Sequence, residues 1–157
     1  MAIPISTTEA DCFHTVIATA GGRYYAAGFD ITNGDRRMAL ARLSPTGSLD
    51  TSFGLGGIAT VNVAVGGKTA EFARGVVVQS GGKIVIAGPV EHDPSATGDA
   101  ARDTDIAVVR FDSTGQLDPT FGINGIVRLD LSTGVVDGPE LDGIVRAAPD
   151  QRVAVVR

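Results

Sequence analysis

The chain has 157 residues, 21 of them glycine, and a formal net charge of −5 at neutral pH. The length suits a single domain with a real core, and the acidic balance excludes nucleic acid or an anionic membrane as the main partner, since both demand a basic footprint. A lone cysteine, Cys12, excludes an intramolecular disulfide, and no apolar run approaches the ~18–20 residues that span a bilayer.

The opening residues, MAIPISTTEAD, carry neither a basic n-region nor a long apolar h-region, so no secretory leader is visible. The expectation is a soluble protein of the bacterial cytoplasm, or an extracellular one if a leader has been removed. The string AIPIS reads as a first strand, with Pro4 suited to a sheet edge. Residues 11–28 then follow, and they align with residues 71–88 at an offset of 60. Val16, Gly21, Gly22, Ala27 and Gly28 return as Val76, Gly81, Gly82, Ala87 and Gly88. In both copies a Gly-Gly pair separates two apolar runs, which predicts a hairpin with a two-residue primed turn.

Residues 38–63 align with 106–131 at an offset of 68, with ten of 26 positions identical. Each copy holds a strand (MALARL, DIAVVRF), a punctuated connector (SPTGSLDTSFGLGG, DSTGQLDPTFGING) and a second strand (IATVNV, IVRLDL). Each unit therefore has four short strands and no helical apolar period. A third copy opens near Leu141. The chain reads as one repeat domain, 1–157, with units at about 1–57, 58–125 and a partial 126–157. Four short strands repeated radially predict an all-β, β-propeller-like fold of about two and a half to three blades. An open sandwich and a β-solenoid are the alternatives.

The string R-[LF]-x-x-x-G-x-L-D-x-[ST]-F-G-x-x-G, followed by A-x-x-V-V-V-Q-x-x-G-K-I-V-[IV]-A-G, resembles the bacterial delta-60 repeat, a β-propeller family. The matching residues are Arg42, Gly47, Leu49, Asp50, Phe53, Gly54 and Gly57, then Arg110, Gly115, Leu117, Asp118, Phe121, Gly122 and Gly125, with Val76, Gln79, Gly82, Lys83, Ile84, Ala87 and Gly88 downstream. The first copy departs from the pattern with Arg23-Tyr24-Tyr25 in place of Lys83-Ile84-Val85. The resemblance implies a fold and no settled activity.

A residue that recurs in every unit is expected to serve the unit. Gly47 and Gly115 are expected at positive φ in turns, and Asp50 and Asp118 as caps accepting a backbone N–H. Leu49 with Phe53, and Leu117 with Phe121, are expected to anchor the connectors, with Gly54 and Gly122 beside them. Arg42 and Arg110 are placed to pair with the aspartates.

Three groups invite a chemical reading. DSTGQLD (112–118) resembles a calcium loop, with Asp112 and Asp118 as metal candidates, but its counterpart begins with Ser44 and an Asx-turn explains the same residues. No cofactor is otherwise expected. The segment 89–105 is longer than its counterpart and carries Glu91, His92, Asp93, Asp99, Asp103 and Asp105. His92 between carboxylates suits a divalent metal, acid–base work or a partner contact, while the composition equally suits a solvated loop. Cys12 and His14 could form a nucleophilic pair, but alternation along one strand makes them parallel and supplies no third orienting group.

The functional expectation is a non-catalytic module for protein or glycan binding, or for structural assembly. The alternative is a metal-dependent propeller hydrolase or lyase with its site at the central channel. A closed propeller takes about four to eight blades, so a homo-oligomer completing the ring is expected, two chains before three. A piece of a longer propeller is the other reading.

Overall fold

The computed structural model describes residues 10–64, 71–91 and 104–129. The expected AIPIS strand, His92, Asp93, Asp99, Asp103 and the third repeat copy lie outside them. The described residues form eight strands: β1 (Asp11–Ala18), β2 (Tyr24–Thr32), β3 (Asp35–Leu43), β4 (Ile58–Val61), β5 (Gly75–Val78), β6 (Ile84–Glu91), β7 (Thr104–Phe111) and β8 (Ile126–Leu129). They make two four-stranded antiparallel sheets in the orders β1-β2-β3-β4 and β5-β6-β7-β8. Each sheet is thus a meander, and its four strands are those read from the repeat. Strand β4, which opens the sequence unit at residue 58, closes the first sheet.

The period-2 pattern decides which face each strand buries. In the first sheet Tyr25 and Ala27, Met38 and Leu40, and Ala59 and Val61 point to one face, here called the front. They pack against the back of the second sheet, formed by Ile84, Ile86, Ala107, Val109 and Phe111. The second sheet's own front carries Val85, Val108 and Val127, with Ile106, Phe121 and Leu129 against them. The repeat offsets place Leu40 opposite Val108 in this correspondence, so the sheets stack front to back and not face to face. They approach closely through β1, β2 and β5. That is the stacking of propeller blades whose inner strands converge.

Close backbone approach explains two repeated glycines. A Cβ on Gly28 would stand 1.8 Å from the Cys12 carbonyl oxygen, and one on Gly88 would stand 2.0 Å from the Phe72 carbonyl oxygen. Both positions sit where the inner strand meets its neighbour. Gly28 also accepts, through its carbonyl, the Ala73 N–H at 2.9 Å, which ties the first sheet to the segment leading into β5.

The Gly-Gly hairpins differ from expectation. In the second sheet the loop has three residues, Ser80 to Gly82: the Gly82 N–H donates to the Gln79 carbonyl and the Gln79 N–H to the Lys83 carbonyl. The first sheet repeats this with Gly22 and Thr19, and Thr19 and Arg23. A bulged three-residue loop absorbs the strand twist as well as a primed two-residue turn does. The two-residue turn occurs instead at Asn33-Gly34, with φ of 55° and 77°, between the paired residues Thr32 and Asp35.

Gly88→Ala should lower stability by about 3 kcal/mol, because backbone overlap forces the strand to move. Gly75→Ala, whose Cβ meets nothing within 4 Å, should be neutral or slightly stabilising. Urea melts of the two variants check the contrast.

Candidate functional site

The connector after each third strand holds a dense set of polar contacts among the described residues. In the first copy the Asp50 carboxylate turns back on its own loop. It accepts the Ser52 N–H at 3.2 Å and the Ser52 hydroxyl at 2.6 Å. Its other oxygen accepts Arg42 Nε at 3.0 Å. Arg42 also donates to Ser52 Oγ at 2.8 Å and lies 4.7 Å from the centre of the Phe53 ring. An Asx-turn, an ion pair and a cation–π contact thus share one arginine.

The second copy repeats the arrangement. Asp118 accepts the Thr120 N–H at 3.0 Å and the Thr120 hydroxyl at 2.7 Å. Arg110 Nε donates to it at 2.8 Å, and the Arg110 guanidinium lies 4.5 Å from the Phe121 ring centre. Lys83 Nζ, 2.7 Å from Asp118, stands where Arg23 stands 3.5 Å from Asp50. Burial raises the Asp118 carboxyl, but the Lys83 and Thr120 hydrogen bonds and the Arg110 charge outweigh it and hold the group well below the usual carboxylate range. Asp50 is lowered chiefly by the Ser52 hydroxyl bond.

The connector also joins the sheets. Gly54 N–H donates to the Thr114 carbonyl at 2.8 Å, and Arg42 Nη1 donates to the Ser113 carbonyl at 2.7 Å. Phe53 is fully buried between them, at the edge of Tyr25. Gly47 and Gly115 hold φ of 84° and 90° in the turns ahead of each connector. A cleft of about 530 Å³ opens along this seam, lined by Gly54, Ile58, Thr60, Phe111, Gly115 and Leu117.

Of the calcium-loop candidates, Asp112 accepts the Thr114 N–H and hydroxyl and the Gln116 N–H at 2.7 to 3.0 Å. Burial raises this carboxyl, and those turn hydrogen bonds bring it below its ordinary value. Asp118 is taken up by Arg110, Lys83 and Thr120. The two aspartates therefore belong to two different hydrogen-bonded turns. Among the described residues no group of three or more His, Cys, Asp or Glu side chains is placed to hold a metal ion.

The insertion leaves the second sheet between Glu91 and Thr104, which pair across the end of β6 and β7. Arg128 braces its base, donating to Asp105 at 2.6 Å and to the Glu91 carbonyl at 2.7 Å. Asp105 is buried there. Glu91 Oε2 is buried with no hydrogen-bond partner among the described residues. In the first sheet the same end of the hairpin is closed by Asn33-Gly34 and by a cross-strand pair, Asp30 with Arg37.

Cys12 is exposed, its thiol against the Phe13 carbonyl. The β1–β2 register slips between Phe13 and Thr15, so His14 is the extra residue of a bulge. Its ring sits edge-on to Phe29 and Phe72, with centroids 5.6 and 5.5 Å away. Arg36 lies over Phe29 and Arg74 over Phe72, at 4.4 and 4.5 Å. Burial, with the Arg74 and Arg36 charges, lowers the His14 pKa.

One buried residue escaped the pattern. The Glu71 carboxylate accepts the Val63 N–H, at 2.8 and 3.1 Å to its two oxygens, and the Ala64 N–H. It is fully buried and pins the end of the first sheet to the approach to β5. A carboxylate holding N–H groups some eight residues upstream leaves no periodic signal. A single acid just ahead of the GVVV run is the only hint in the sequence.

Two segments, 22–53 and 79–121, match the model of a family described as a domain of unknown function (DUF5122) β-propeller. No curated protein and no solved structure matches the chain. The two segments run from the Gly-Gly hairpin to the connector phenylalanine in each copy. The matched segments are thus similar to a β-propeller repeat family, and the described residues form two four-stranded antiparallel units, as a partial propeller does.

Asp118→Ala should cost about 3 kcal/mol, since it leaves Arg110 buried without its carboxylate. Asp50→Ala, at the more exposed copy of the site, should cost less. Because the Asp118 pKa is depressed in the folded chain, its contribution is complete above the unfolded value of about 4 and is lost as pH falls toward the folded one. Thermal melts from neutral pH down to acid should show a shallower acid limb for Asp118→Asn. His14 should titrate below 6.5 by NMR. Native His14 prefers to be neutral, so stability should fall slightly as pH drops below that value, and His14→Phe should remove this slope.

Proposed function

We propose that the chain is a non-catalytic β-propeller module of bacterial delta-60 type, serving protein or glycan binding and the assembly of a larger ring. One observation carries this reading. The polar residues that recur in both units are engaged in fastening the connectors and the seam: Arg42, Asp50 and Ser52 in one, Arg110, Asp118 and Thr120 in the other. Recurrence is thereby explained by architecture, and selectivity falls to residues that do not recur.

The largest non-recurring segment is the insertion from Glu91 to Asp105. Its base is braced by Arg128, so the segment is mounted on a rigid hairpin. That is how scaffolds present binding loops. Glu91, with His92, Asp93, Asp99 and Asp103 beyond it, would supply carboxylates and one imidazole to a hydroxyl-rich or basic partner. A calcium ion at this acidic segment fits the same reading.

A glycan array and a panel of basic peptides, probed with the whole chain and with a variant lacking residues 93–101, test it. The deletion should keep its melting temperature and lose the binding seen with the whole chain. Equal binding by both would overturn the role of the insertion. Turnover of a glycan by the whole chain, lost on chelation, would overturn the non-catalytic reading.

A further inference from the structure

Four side chains from the two units gather about Phe72. His14, the bulged residue of β1, meets that ring edge-on at 5.5 Å and meets Phe29 in the same way at 5.6 Å. Arg74 lies over Phe72, with its guanidinium carbon 4.5 Å from the ring centre. Arg36, near the start of β3, lies over Phe29 at 4.4 Å and is also 5.8 Å from the centre of Phe72. Two guanidinium charges thus share one half-buried ring.

Like charges held so close repel each other. No carboxylate offsets them at His14, where burial, then Arg74, then Arg36 lower the pKa. Arg74 makes no ion pair and no side-chain hydrogen bond among the described residues. His14 Nδ1 is buried and has no hydrogen-bond partner among them either. The chain carries a net charge of −5, so this local excess of positive charge runs against its composition.

Cation–π contact explains one arginine on each ring. It does not explain a second arginine close to Phe72, with an imidazole between the rings that the two charges discourage from protonating. A guanidinium stacked on a ring uses its flat face, and its N–H donors lie in the plane of the group, at its edge. Arg74 is exposed, and Arg36 and His14 are half-buried, so solvent reaches the cluster. Nor does the cluster recur. His14 and Arg74 are one position of the repeat with unlike side chains. Phe29 and Arg36 stand where the second unit has Pro89 and Thr104, and Phe72 where the first has Cys12.

We infer that Arg74 and Arg36, beside His14, form a binding site for a small oxyanion: a carboxylate, phosphate or sulfate group, free or carried on a sugar. The anion accepts in-plane N–H donors from the guanidiniums, with Arg74 the more accessible, and relieves their repulsion. Its charge also favours the protonated imidazole, so binding and protonation of His14 reinforce each other. A small ligand held by two arginines that water reaches has a dissociation constant of roughly 0.1 to 10 mM. The site goes beyond the proposed role of the insertion. That acidic segment is read with uncharged glycans and basic peptides and this site with anions, so either can fail alone.

NMR titration of the His14 imidazole in the whole chain, assigned through His14→Phe, tests the site at an ionic strength held near about 0.15 M with chloride. Glucuronate and sulfate are the anions, and glucose is the uncharged control. Either anion, up to about 50 mM, should move the signal saturably and raise the His14 pKa by about half a unit or more. Glucose should do neither. Arg74→Gln should raise the anion-free His14 pKa, since one repelling charge is gone, and weaken anion binding about tenfold. Arg23→Gln, at an exposed arginine beside the first Gly-Gly hairpin, should leave both unchanged. A tighter response to glucuronate assigns the group to an acidic sugar, and a tighter response to sulfate assigns it to a tetrahedral anion. No saturable change with either anion would overturn the inference. So would an Arg74→Gln chain that binds as the unmodified chain does.

Discussion

The seam hydrogen bonds from Gly54 to Thr114 and from Arg42 to Ser113 are the constraint on which the rest of the structure depends. A four-stranded meander has two faces and cannot bury either by itself. It becomes stable when its front meets the back of another. Here that meeting is fixed by one loop. Asp50 holds Arg42, Arg42 covers Phe53, and Phe53 fills the space under Tyr25. Burying a side chain of that size stabilises by about 2–3 kcal/mol. The backbone bonds beside it set direction, which apolar contact alone does not.

The second connector shows what that design requires. Asp118 is more deeply buried than Asp50 and has two close cations, Lys83 and Arg110. Its carboxylate is therefore held charged in a place where an unpaired charge would be costly. At the other end of the sheets, the hairpins diverge: Asn33-Gly34 closes one tightly, and the other opens into the insertion. One end of the unit thus repeats because it bears the stacking, and the opposite end is free to vary. That division is the physical ground for the proposal that recognition lies in the insertion.

The strands and connectors were legible because they occur twice. Internal comparison separated Arg42, Asp50 and Phe53 from their variable neighbours as an alignment would. Four features were not legible in this way. The Asn33-Gly34 turn occurs in one copy only, although Asn-Gly between apolar runs is itself a strong hairpin signal. The bulge at His14 depends on a backbone slip that leaves no mark in composition. Glu71 is buried through tertiary contact with Val63 and Ala64, and a lone acid beside a strand is ordinarily read as exposed. The insertion was legible as an extra length, and its rigid base at Arg128 was not, because Arg128 reaches Asp105 across two paired strands.

Amide hydrogen exchange at two equivalent glycines tests the central claim most directly. Gly54 and Gly122 occupy the same place in their units, and of the two it is Gly54, among the described residues, that donates its N–H across the seam. In dilute solution the account predicts strong protection of the Gly54 amide, lost only with unfolding of the sheets, and rapid exchange at Gly122. Equal, fast exchange at both glycines would contradict it, because the seam would then not be the contact that holds the sheets together.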